Sequence, residues 1–366
     1  RIFEPQKMAS PLMFIRDWYF IIIPSVIILI MSFLSIVWSE YPDHSVERSL
    51  KLFFLFLTGS FFLYCVHDSI HRSDYPQEWK VSLRKFQDLF FIFLLTAGVL
   101  LASFHILTYV VPQSLYEATN LKRSDLNKSF MSYLYFVFIF GVLCRDKLSQ
   151  AKFLLVLSPV LICLILTSSE TIWMMAFIVF LTLVFVKWVG RNTFFVSQFL
   201  VIISLLLLPF VVNELYSFIQ DYEGDLQGLT KKALVRFEIW AGGAILIFEQ
   251  IWTGYGIDTF SRFELPVKHF FLNHEAMLHP HNFIIQFWFE FGLIGMLAAI
   301  TIALIIYQKI GCMKGKKFIA ALCIIHAYIV QLFLSHGLWQ SWHVGLVFLL
   351  TGFFVVCFHR IKISNA

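Results

Sequence analysis

Charge is what this 366-residue chain has least of. Asp, Glu, Lys and Arg make up only 14% of it, where an average soluble domain carries about 25%. So little polar surface excludes an ordinary soluble globular domain. Metal-binding motifs are missing too. No Asp-x-Asp occurs, and His274, Glu275, His279 and His281 crowd one loop without ligand spacing, so neither a metal nor another cofactor is expected. Cysteine is sparse, and all six fall in apolar runs or on one side of them: Cys65, Cys144, Cys163, Cys312, Cys323 and Cys357. There is no internal repeat, no low-complexity tract and no signal-peptide cleavage pattern at the start. The chain opens on Arg1 rather than Met, and upstream residues are expected.

What fills the chain instead is oil. Hydrophobic residues reach 59%, Phe alone numbers 43, and the mean hydropathy is +0.78. Successive runs approach the ~20 apolar residues that a helix needs to cross a bilayer. Ten spans are predicted: Trp18–Val37, Lys51–Val66, Leu89–Val111, Phe130–Cys144, Phe153–Thr167, Thr171–Val189, Phe194–Val212, Asn282–Gln308, Phe318–Ser335 and Trp342–His359. The runs at Phe130 and Phe153 are the shortest. The fold class expected is an all-α polytopic membrane protein, one membrane domain over residues 1–366. A single long loop, residues 213–281, is inserted as a lid.

Basic residues orient the bundle. One set of connections holds 18 Lys and Arg, among them Arg72, Lys80, Lys147, Arg191 and Lys314, and the opposite short connections hold 5. That bias predicts both termini in the cytoplasm and the long loop outside. The net charge of +5 therefore describes topology and gives no sign of a nucleic-acid partner.

The long loop spans 69 residues and begins acidic, at Asp221-Tyr222-Glu223-Gly224-Asp225. From Leu229 to Trp252 a helix is predicted, with Ala233, Phe237, Trp240, Ala244, Phe248 and Ile251 as its apolar stripe. It should lie at the interface, in lipid or against the bundle. Gly254-Tyr255-Gly256 ends it. Asp258, Arg262, Glu264 and Lys268 lead on to Leu278-His279-Pro280-His281-Asn282, where the loop runs into an apolar helix. Pro280 and Asn282 suit a helix start, so a purely structural account of this segment stays open. It leaves unexplained the second imidazole two residues on, and Glu290 two turns into the span. A carboxylate inside a span is costly and normally faces a polar interior with a function. Arg236 admits two readings: an anchor to lipid phosphate, or a clamp on a diphosphate, to which a guanidinium offers a planar fork.

The order Arg236-x-x-x-Trp240, Gly254-Tyr255-Gly256-Ile257, His281-Asn282, Gln286, Glu290-x-Gly292-Leu293-x-Gly295 resembles the signature of the O-antigen ligase and polymerase superfamily. Leu34-Ser35-x-x-Trp38-Ser39-x-x-Pro42-x-x-Ser45 is similar to its early membrane-edge motif, and Leu338-Trp339-Gln340-x-Trp342 to its late one. The resemblance implies a bundle like those of the membrane-embedded C class of glycosyltransferases, with two more spans before Arg1. It implies an inverting, metal-independent enzyme of the bacterial inner membrane working at the periplasmic face among membrane lipids. The donor would be a glycan on undecaprenyl diphosphate. The acceptor would be lipid A–core for a ligase, the favoured reading, or a lipid-linked repeat unit for a polymerase. By motif, His281 takes the role of base and Arg236 that of diphosphate neutraliser, with Glu290 the third catalytic candidate. His279, Asn282, Trp240, Arg262 and Tyr255 complete the set on the substrate side. One departure stands out: where the family often has a cation in a middle turn, this chain reads Thr167-Ser168-Ser169-Glu170-Thr171. Arg262, Lys268 or Arg123 would have to supply a second positive charge.

The chemistry is coherent without the family. A diphosphate is a good leaving group, so charge neutralisation and a base near neutral pH suffice, and arginine and imidazole suit those tasks. A transporter would instead need mid-membrane ionisable groups and mirrored broken helices. His105 and His326 lie in spans, but the polar groups gather at one face. A structural scaffold would need no such cluster.

Overall fold

The computed structural model describes residues 11–71, 76–110, 123–144, 149–167, 169–221, 231–267, 279–334 and 337–364. These form eleven α-helices and no strand among the described residues. The spans are α1 (Pro11–Leu34), α2 (Pro42–His71), α3 (Pro76–Val110), α4 (Arg123–Cys144), α5 (Gln150–Leu166), α6 (Glu170–Val189), α7 (Asn192–Asp221), α9 (Phe283–Gly311), α10 (Gly315–Leu334) and α11 (Ser341–Ser364). Between α7 and α9 stands α8 (Lys231–Glu249). The protein is thus an all-α polytopic membrane protein. Helices prevail because hydrocarbon offers no partner to a backbone amide, and a helix satisfies its own.

Each of the ten predicted spans corresponds to one helix. Eight are long and apolar enough to cross a membrane, while α5 and the Ser341–Cys357 part of α11 are shorter apolar helices. The expected short run at Phe130 gains length because its helix begins at Arg123. Large side chains such as Ile165, Phe199 and Trp188 stand exposed on the outside, as a lipid-facing wall requires.

Inside, among the described residues, two large cores and two small ones fill the bundle. Phe14, Trp18, Leu52, Phe289, Phe291 and Trp339 belong to one large core, and Leu94, Phe130, Phe140, Val160 and Leu346 to the other. The principal neighbours are α6 with α10, α7 with α9, α3 with α5, and α2 with α11, while α8 lies on α7 and α9. The expected loop is shorter than the sequence suggests, since α7 stays helical to Asp221. The acidic stretch of residues 222–230, and residues 268–278 with Lys268, His274 and Glu275, lie outside the described residues.

In α8 the buried face differs from the predicted stripe. Leu234, Glu238, Ile239, Ala241, Ala244, Leu246 and Ile247 are buried; of the expected set Ala244 is among them, and the side chain of Ala233 lies outside the described residues. Phe237, Trp240, Phe248 and Ile251 are half-buried. The helix is covered by neighbours on more than one side, so a single-stripe reading misplaces its core.

The helix α9 holds the main departure from the predicted span. Gly292 has φ 58° and ψ −152°, so two half-helices meet there. A continuous helix would pair the Leu293 and Ile294 N–H groups with the Phe289 and Glu290 carbonyls. Instead the segment after α8 is sewn into the gap. Tyr255 and Gly256 N–H donate to the Phe289 and Glu290 carbonyls at 2.8 and 2.9 Å, and the Ile251 and Trp252 carbonyls accept from Leu293 and Ile294 at 2.8 and 3.3 Å. The break therefore leaves none of these four groups unpaired, which a membrane interior demands.

Candidate active site

The site is built where this seam meets the start of α9. Asn282 caps the helix, its Oδ1 accepting from Ile284 N–H at 3.0 Å and Ile285 N–H at 3.3 Å. The residue before it, His281, has φ 53°, a left-handed conformation in which histidine is enriched among non-glycine residues. The rings of His279 and His281 lie 4.3 Å apart between centroids, tilted by 51°. Between them, the Pro280 carbonyl accepts the Trp240 indole N–H at 2.8 Å. That bond ties the histidine segment to α8, one turn after Arg236.

Arg236 faces an unexpected partner. Its Nη1 lies 3.3 Å from Oε2 of Glu170, the first residue of α6. The anion that breaks the family pattern thus sits on the arginine that the motif singles out.

Glu290 is fully buried and held by three donors. Gln286 Nε2 donates to its Oε1 at 2.8 Å, Trp339 Nε1 to its Oε2 at 2.5 Å, and the Asp258 backbone N–H completes the set. Gln286 in turn accepts from Leu338 N–H at 3.0 Å. Glu290 is therefore a bracket joining α9, the 337–340 turn and the Gly254–Asp258 segment. Tyr255 is also engaged within the protein: its ring stacks on Phe289 at 4.8 Å, and its hydroxyl donates to the Leu246 carbonyl at 3.2 Å, with Glu249 at 3.3 Å. Burial, with the Glu249 carboxylate beside it, pushes this phenol up to about 12, so it stays protonated. Arg262 stands exposed on a short 3-10 turn, its carbonyl accepting from Tyr41 at 3.3 Å. No contact joins the Arg262 side chain to the histidines among the described residues. Lys268 and the side chain of Arg123 lie outside them.

Two further charges belong to this end of the bundle, and only the structure joins them. Arg48 Nε and Nη2 both reach Asp258 Oδ2 at 2.6 Å, and Nη1 donates to the Trp339 carbonyl at 3.2 Å. His44 Nε2 lies 3.3 Å from the same carboxylate oxygen. Asp258 has φ 58°, and the Arg48 fork holds this strained corner in place. In sequence Arg48 counts only as one charge in a short connection, and 210 residues separate it from Asp258. Among the described residues no three His, Cys, Asp or Glu side chains gather as metal ligands.

An apolar cavity of about 240 Å³ adjoins this end, bounded by Phe283, Phe287, Leu338 and Trp339, and by Pro24 and Ser25 deeper in the bundle.

These features define a class: a multi-pass helical membrane protein with imidazoles, a guanidinium and a bracketed carboxylate at one end of its bundle. Residues 153–300, which include Glu170, Arg236, both histidines and the Gly292 seam, match the family model described as O-antigen ligase. That stretch is 148 of the 366 residues, and over it the chain is similar to the O-antigen ligase family. A provisionally named polysaccharide ligase of Rickettsia conorii is 27% identical over 148 residues, 38% of this chain and 35% of the relative. One of Rickettsia felis is 34% identical over 74 residues, covering 20% and 18%. The matching stretches thus span about a third or less of the curated relatives' length. No solved structure matches the chain significantly.

Proposed function

We propose that the chain works as an O-antigen ligase-type glycosyltransferase, moving a polysaccharide from undecaprenyl diphosphate to a sugar hydroxyl of lipid A–core at the periplasmic face. The observation that carries this reading is the bond between Trp240 and Pro280. It fixes the two histidines beside the helix bearing Arg236, inside the segment that matches the ligase family. In this scheme the His281 imidazole takes the acceptor hydroxyl proton as the oxygen attacks the anomeric carbon. The bond from that carbon to the diphosphate breaks on the opposite face, inverting the centre. Arg236 meets the charge that develops on the departing diphosphate, where a preorganised cation lowers the barrier most.

The remaining groups serve this pair. Glu290, with every oxygen engaged by protein donors, positions the start of α9 and the Trp339 turn. The cavity lined by Phe283 and Phe287 offers a lipid chain an apolar seat beneath the site. Ligase is preferred to polymerase because both the family description and the relatives' names say ligase.

Transfer from a purified lipid-linked donor, assayed with chelator present, tests the scheme. Arg236→Lys keeps the charge but loses the two-point fork. Losing one charge-assisted hydrogen bond costs on the order of 1.5–3 kcal/mol, or roughly tenfold to a hundredfold in rate when realised in the transition state. Full activity of this variant would reduce Arg236 to a lipid anchor, and inhibition by chelator would sink the metal-independent mechanism. In cells, loss of a ligase should leave free core with long lipid-linked chains. Single capped repeat units on the core would instead indicate loss of a polymerase.

A further inference from the structure

The guanidinium assigned to the diphosphate already holds an anion. Glu170 Oε2 lies 3.3 Å from Arg236 Nη1, across 66 residues of sequence. The carboxylate does not hang on a loose loop. It opens α6, whose first turn and the residue capping the helix before it are both held by neighbouring helices. Thr171 and Ile172 are buried, Thr171 Oγ1 reaches the Leu334 carbonyl of α10 at 3.4 Å, and Thr167 Oγ1 donates to Asn127 of α4 at 3.1 Å. The α6–α10 pairing behind it is one of the principal ones in the bundle. The pair is half open, with side-chain exposures of 25% for Arg236 and 45% for Glu170, so another anion can approach the same guanidinium.

We propose that Glu170 is a built-in counter-anion that competes with the donor's diphosphate for Arg236, thereby weakening donor binding and easing release of the diphosphate product. The proposal rests on the reading above that Arg236 meets the diphosphate. Two anions drawn to one guanidinium repel each other, whether the newcomer displaces the carboxylate or shares the fork with it. A cation tight enough to stabilise the leaving diphosphate would otherwise hold it after transfer, and product release often limits turnover. Glu170 gives Arg236 a partner to return to.

Glu170→Gln separates charge from shape, because the amide keeps an acceptor oxygen for Arg236 and loses only the negative charge. In the transfer assay its KM for the lipid-linked donor should fall about two- to fivefold, the range that half-exposed ion pairs carry. The inhibition constant for added inorganic diphosphate should fall by the same factor. Raising the salt concentration should shrink both differences. Glu170→Ser supplies a second neutral side chain if the amide variant inserts poorly. Unchanged or raised constants in the neutral variants would overturn the counter-anion and leave Glu170 as a prop for Arg236. The Arg236→Lys protein, measured in parallel, keeps the two claims apart. If inorganic diphosphate inhibits it as it does the unaltered protein, the assignment of Arg236 itself fails. If only the Glu170 variants are indifferent, the counter-anion alone fails.

Discussion

Two histidines two residues apart meet different surroundings. His279 packs against Gly337, where a side-chain carbon would come within 3.1 Å of it. His281 occupies the left-handed backbone position just before the Asn282 cap. The proposed mechanism gives the acceptor proton to His281, and so the two must be tested separately. A plain alanine at His281 changes two things, because it removes the imidazole and also strains a backbone that alanine resists. Asparagine tolerates the left-handed region, which makes His281→Asn the cleaner variant. It should abolish most transfer while the melting temperature of the detergent-solubilised protein moves little. His279→Ala should be milder in transfer. Near-normal activity in both would leave the pair with only its part in starting α9. What was legible residue by residue is a neighbourhood and not a role: Trp240, one turn after Arg236, bonds the carbonyl of Pro280, the residue before His281. The Arg48–Asp258 fork was not legible, because nothing in a string of letters brings two single charges 210 residues apart into register.

At the scale of the element, the broken span explains why glycines recur in both motifs. A side-chain carbon on Gly254 would sit 2.5 Å from the Phe289 carbonyl oxygen, and one on Gly292 would sit 2.5 Å from the Trp252 carbonyl group. Backbone lies against backbone at the seam, so only glycine fits. The sequence shows Gly254-Tyr255-Gly256 and Glu290-x-Gly292 as separate signals. Their pairing is invisible there because the run from Phe283 to Leu304, Gln286, Glu290 and Thr301 apart, is apolar and reads as one span. Gly190 supplies a control, since its φ of 65° and ψ of −135° resemble those of Gly292. Nothing lies within 4 Å of its missing side chain. Alanine at either position meets the same backbone strain, about 1–3 kcal/mol. Gly292→Ala adds a collision with the seam, typically a further ~1–3 kcal/mol for overpacking. Thermal unfolding in detergent should therefore show Gly292→Ala clearly less stable than Gly190→Ala. Equal melting temperatures would mean that the seam yields, and that its glycines serve conformation alone.

Across the whole molecule, alternate connections converge on one end. The first turn of α2 meets the segment after α8 through Ser45 Oγ, which donates to the Ile257 carbonyl at 3.1 Å. The 337–340 turn reaches Arg48 and Glu290, and the start of α6 reaches α8. Connections of the other parity meet at the opposite end, where Arg191 donates to the Gly311 carbonyl and Lys152 pairs with Asp88 at 3.0 Å. Apolar run length foretells this alternation well, because crossing a bilayer is nearly a one-dimensional constraint. Which end faces out rests on the excess of basic residues around the Arg191 end, which predicts that end to be cytoplasmic. A cysteine map tests it. In a protein with its six native cysteines replaced, single cysteines are placed at Glu264 and Lys314, both exposed and at opposite ends. Cells with a permeabilised outer membrane are treated with an impermeant thiol reagent. Glu264→Cys should be labelled, and Lys314→Cys should stay unlabelled until the inner membrane is opened. The reverse pattern would put His281 and Arg236 in the cytoplasm, where a ligase acting on exported, lipid-linked glycan could not use them.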